Sequence, residues 1–181
     1  MTPAEYIQLK AFARVDGAVL SLLWTAAFAC FVAGLANGGY SMVAMLLIAS
    51  TPFFVGKRLK RFRDDDLGGN ISLLRGWAYA VHVCFYAGLL LALVQYAYFA
   101  YIDQGYMMHS LRDTLATPMG KVMLEQYGLE ESIDERLALL EQMRPIDYAL
   151  NMLSMDIMVG ILLGLPIALL LKKEKQVPNK S

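Results

Sequence analysis

The chain has 181 residues, sixteen Lys and Arg against sixteen Asp and Glu, and 57% hydrophobic residues. Mean hydropathy is +0.45. Soluble domains hold roughly 45–50% apolar residues, and here the excess lies in long unbroken blocks with neither strand alternation nor an amphipathic helical period, which excludes both a soluble domain and a membrane β-barrel.

In chain order, a polar, helix-like lead carries Lys10 and Arg14 and ends at Asp16, an acid at the edge of the first block and within reach of water or Arg14. The first block, about 17–36, follows this lead without a small-residue cleavage site, so it reads as a retained span and not a cleaved signal. After a short turn at Asn37-Gly38 a second block covers about 39–56, a third about 74–101 and a fourth about 146–171. At about 1.5 Å per residue each reaches across a hydrocarbon slab of roughly 30 Å. The predicted fold is all-α: a single membrane domain, residues 1–181, with four transmembrane helices.

Between the second and third blocks lies a charged knot, 57–73. Lys57, Arg58, Lys60, Arg61 and Arg63 run into Asp64, Asp65 and Asp66 and then Gly68-Gly69. Three neighbouring carboxylates attract a hard divalent ion, but residues adjacent on a helix diverge by about 100° and no second segment supplies ligands. The plainer reading is that the acids offset the cations and open the Gly-Gly turn. No metal and no cofactor is expected. The basic residues suit anionic headgroups, at about 1 kcal/mol each, or an acidic patch on a protein partner. Nucleic-acid binding has only this stretch behind it, and membrane topology already accounts for the charge.

Lys and Arg are divided unequally. The lead, the knot with Arg75, and the tail (Lys172, Lys173, Lys175, Lys180) hold twelve of the sixteen; segment 102–145 holds four against eight acids. The positive-inside rule puts both termini and the knot in the cytoplasm and segment 102–145 outside. That outer insert is predicted to be helical. Ser132–Glu135 reads as a capping box opening a helix whose face carries Ile133, Leu137 and Leu140 and which stops before Pro145. A second short helix is expected over Met119 to Tyr127, ended by Gly128. Tyr96, Tyr98, Tyr101 and Tyr106 suit an aromatic belt at the outer interface.

Polar groups within the spans are the other candidates, since a charge in lipid costs about 2.5–3.5 kcal/mol on insertion scales. His82 and Asp156 differ in expected depth by around 12 Å, so a direct pair needs tilt or water. Asp147 and Asn151 share a face near the outer boundary. Asp156, Gly160 and Gly164 recur at four-residue steps, a seam that admits close helix packing with Asp156 turned toward protein. Pro166 follows the seam and is placed to kink the helix. Cys30 and Cys84 lack metal-ligand spacing and read as small packed residues. No P-loop, dinucleotide fingerprint, zincin motif or nucleophile elbow occurs.

The order of these features resembles a bacterial family known only as the domain of unknown function numbered 4199. The resemblance rests on the basic run with its acids, Arg61 to Asp66, then Gly68, Gly69, Ile71, Ser72 and Trp77, and on Ile102-Asp103 after the third span. It brings no assigned activity or catalytic residue. It implies a multi-pass protein of the bacterial inner membrane, and a setting beside glycosyltransferases that use polyprenyl-phosphate carriers. The expectation is a non-enzymatic anchor or scaffold for a cytoplasmic or envelope enzyme, with a protein partner or homo-oligomerisation. The alternative is a small homo-oligomeric carrier or proton-coupled channel using Asp156.

Overall fold

The computed structural model describes residues 1–129 and 131–173; Lys175 and Lys180 of the charge count lie outside them. The described chain is all-helical: α1 (Pro3–Ala36), α2 (Gly38–Ala49), α3 (Thr51–Arg61), α4 (Leu73–Tyr101), α5 (Tyr106–Ala116), α6 (Pro118–Gln126), α7 (Ile133–Glu141) and α8 (Pro145–Leu171). Four helical stretches are long and apolar enough to cross a membrane: α1, α2 with α3 and the turn that follows, α4, and α8.

α1 begins fourteen residues before its apolar block. Thr2 caps it with a reciprocal box to Glu5, and Pro3 occupies the first turn, where its missing N–H costs nothing. Its 34 residues extend about 50 Å at 1.5 Å each, so the polar lead continues the span as one rod. Asn37 ends α1 and caps α2 through its side chain. The hairpin is tight, because a Cβ on Gly34 would lie 2.2 Å from Ser41 Oγ.

The second span is broken at Ser50-Thr51-Pro52. Pro52 cannot donate into the preceding turn, and the Ser50 hydroxyl donates to Leu47 O instead of to a distant partner. The break is pinned to α1 by a buried hydrogen bond, Trp24 Nε1 donating to Thr51 Oγ1 at 2.9 Å. Beyond it α3 runs through the basic half of the knot and widens into a π-helical turn, Phe62–Asp66. The expected loop over 57–73 is therefore helical as far as Asp66. Backbone reversal follows at Gly68 and Gly69, whose φ of 62° and 83° only glycine adopts freely.

α4 is the centre of the fold, with α1 along one side and α8 along another; α2 packs on α1. α4 and α8 run antiparallel in a tight ladder. A Cβ on Gly160 would stand 2.6 Å from Cys84 Cβ, one on Gly164 3.1 Å from Ala80 Cβ, one on Gly88 2.9 Å from Asp156 Cβ, and one on Gly76 3.3 Å from Ala168 Cβ. Small residues at four-residue steps on both helices let the backbones approach closely. The core lies toward the knot end, where Phe62 stacks on Tyr79 at 4.9 Å and meets Phe12 at 5.1 Å.

The insert differs from expectation in two ways. α5 is an additional helix, started after Gly105 at φ 86°. α7 starts at Ile133 as expected, but the Ser132 box is not formed. Ser132 has helix-type backbone angles, donates to Leu129 O and accepts from Arg136 Nε, so its hydroxyl is not aimed at the Glu135 amide. α6 ends near the predicted point, with Gly128 at φ 62°.

Candidate functional site

The charged knot folds into the bundle. Arg58 projects from α3 back to α1, where its Nη1 lies 3.3 Å from Asp16 Oδ1. The Tyr79 hydroxyl on α4 donates to the other oxygen of the same carboxylate. Asp16 is only 8% exposed, and its ion pair is with Arg58, not with the expected Arg14. The reason is geometric: α3 lies across α1 at this level and brings a guanidinium to a carboxylate that lipid would not tolerate unpaired.

Two further arginines tie the same end. Arg63 grips the neighbouring Asp64 through Nε at 2.7 Å and Nη2 at 3.0 Å, and its Nη1 donates to Leu171 O at 2.9 Å, satisfying a carbonyl at the end of α8. Arg75 donates to Glu5 at 3.1 Å and Gln8 at 3.0 Å on α1 and lies over the Phe62 ring. A two-way backbone bridge, Ile71 N to Lys173 O at 2.8 Å and Lys173 N to Ile71 O at 3.0 Å, closes the ring of contacts.

The remaining knot residues face outward. Lys57, Lys60 and Arg61 are exposed, and Arg61 makes only an exposed pair with Asp65 at 3.4 Å, a contact of small energetic weight. Arg61, Asp65 and Asp66 line the mouth of a cleft of about 430 Å³ whose inner wall holds Asp16, Arg58 and Phe62. Asp64, Asp65 and Asp66 do not converge, and among the described residues no group of three or more His, Cys, Asp or Glu is placed to hold a metal ion.

His82 and Asp156 are not brought together. Ala78 O can only accept, so His82 Nδ1 donates to it at 2.7 Å, leaving Nε2 to accept from the Tyr6 hydroxyl at 3.3 Å. His82 thus serves α1. Asp156 lies in the α4–α8 ladder against Gly88, and its Oδ2 is buried without a hydrogen-bond partner. Asp147 pairs with Arg144 at the start of α8, and Asn151 donates to Asp147 O. Cys30 and Cys84 are free thiols, Cys84 buried in the ladder.

Sequence reasoning missed Tyr79, Arg75 and the inward roles of Arg58 and Arg63. It also missed the α4 half of the ladder, although Gly76, Ala80, Cys84, Gly88 and Ala92 stand at four-residue steps and are all buried.

Among the described residues the chain is all-helical, with four stretches long and apolar enough to cross a membrane and with partly buried arginines tying one end, the features of a membrane protein. It belongs to the family described as protein of unknown function (DUF4199), which it matches over residues 16–173. No curated protein and no solved structure matches it.

Proposed function

We propose that this protein is a non-enzymatic membrane subunit, an anchor or scaffold for a partner enzyme. The observation that carries the reading is the division within the knot. Arg58 and Arg63 are turned inward as ties, whereas Lys57, Lys60, Arg61 and the three aspartates stand exposed or partly exposed on a braced helix end. A rigid platform of both charge signs loses little entropy when a complementary surface docks. Anionic headgroups add to the hold at about 1 kcal/mol per basic residue.

The charge distribution supports an orientation with the knot and both termini in the cytoplasm and the helical insert outside the bacterial inner membrane. The partner is then a cytoplasmic protein held against the membrane, where confinement raises its effective concentration. A glycosyltransferase working on polyprenyl phosphate is the candidate that the family setting suggests.

The test is affinity purification from native membranes, comparing wild type with a Lys57→Gln, Lys60→Gln, Arg61→Gln variant that retains Arg58 and Arg63. A stoichiometric partner lost from the variant is the expected result. No partner in either sample would refute the anchor. The carrier or proton-coupled channel has one observation in its favour, the unpartnered carboxylate of Asp156, and Asp156→Asn would then abolish proton flux in proteoliposomes.

A further inference from the structure

At the end opposite the knot, the insert roofs a cavity of about 1000 Å³, at the top of the roughly 300–1,000 Å³ range of small-molecule sites. Its walls come from Phe99 at the end of α4, from α5, from the α7–α8 connection and from Pro145 to Met155 on α8. Eleven residues of α8 correspond to about 15 Å of helix, so the cavity reaches well down the apolar length of the span.

Its lining contains five of the chain's eleven methionines: Met107, Met108, Met143, Met152 and Met155. Unbranched thioether side chains re-pack readily around guests of variable shape. Aromatic rings from Phe99, Tyr106 and Tyr148 complete the apolar surface. Most of the polar groups at the wall are already engaged within the protein. Arg112 holds Glu141 at 2.8 Å, the Tyr148 hydroxyl donates to Leu140 O, and Asp103 accepts from the Gly105 and Met107 amides. His109 and Gln104 also stand in the lining, beside a methionine and aromatic surface.

From this geometry we propose that the cavity binds the hydrocarbon tail of a membrane lipid, drawn in sideways between α8 and the insert. The site is independent of the knot and of the anchor reading.

The experiment reconstitutes the full chain in nanodiscs of phosphatidylcholine and phosphatidylglycerol containing a small fraction of phosphatidylcholine with a diazirine in its acyl chain. After irradiation, labelled residues are mapped by mass spectrometry, with the exposed face of α2 (Leu46, Met45) as the reference for ordinary lipid contact. The expected result is labelling of Met107–Leu111 and Tyr148–Met152 in wild type. Filling the cavity with Met108→Trp and Met152→Trp should lower this several-fold, with α2 labelling unchanged. Replacing Met107, Met108 and Met152 by Leu preserves volume and should preserve labelling. An unlabelled cavity, or labelling indifferent to the tryptophans, overturns the proposal. So does stoichiometric Ag(I) uptake that the leucine variant loses, with no acyl label, which would make the thioethers a soft-metal site. Should the tryptophan variant lose the α2 reference pattern and so prove misfolded, native mass spectrometry of delipidated wild type decides: a retained lipid supports the site and none overturns it.

Discussion

Arg58 and Asp16 lie 42 positions apart and meet at 3.3 Å with the Tyr79 hydroxyl on the same carboxylate. Three helices therefore share one ion pair at the knot end. Removing one member of such a pair leaves a buried charge uncompensated, at a cost of about 3–5 kcal/mol. Arg58 is partly exposed, which favours the low end. Arg58→Gln should lower the thermal midpoint in mild detergent sharply, Lys57→Gln should leave it unchanged, and Arg58→Gln with Asp16→Asn should recover part of the loss. Equal effects of the Arg58 and Lys57 changes would remove the pair from the account.

The α4–α8 ladder gives a second prediction. A Val at Gly160 would drive its Cβ into Cys84, and overpacking of this kind costs about 1–3 kcal/mol, more when the neighbour belongs to an apposed helix core. Gly38 has open space around its missing Cβ, so Gly38→Ala is the control. Unfolding in a denaturing detergent series should separate the two variants.

Asp156 carries an oxygen buried without a partner. Asp156→Ala should therefore remove a desolvation cost of about 1–3 kcal/mol and raise the thermal midpoint in mild detergent. A lower midpoint would overturn this account of the carboxyl.

At the break in the second span, Trp24→Phe should cost about 1 kcal/mol by orphaning the Thr51 hydroxyl. Pairing it with Thr51→Val should return most of that, since both partners are then apolar. Hydrogen exchange at α3 amides reports the difference directly.

The apolar blocks made the four spans readable, and the ends of the first and third at Ala36 and Tyr101 agree with the helix ends. What escaped was everything set by the meeting of helices. Arg58 and Lys57 are neighbours of identical charge in the sequence, and only the angle at which α3 crosses α1 decides that one is a tie and the other a surface. The break at Pro52 that sets this angle falls inside a block, 39–56, that reads as unbroken in the sequence, and no local signal gives its direction. The Gly160/Gly164 seam was visible on α8 because glycine is conspicuous. Its counterpart on α4 mixes Gly, Ala and Cys, and looks like composition until the two helices are laid side by side. Ser132 shows the reverse: a correct motif at a correct boundary whose hydroxyl was claimed by other neighbours.

The contacts Arg63 to Leu171 and Ile71 to Lys173 join residues made early to residues made about a hundred positions later. During synthesis the knot therefore waits. The first three spans can be in place while Arg63 and the Ile71 backbone still lack their partners, and only the arrival of α8 completes both at once. The last helix acts as a keystone, so an assembly stalled before it would display its unfinished end to whatever surveys newly inserted chains.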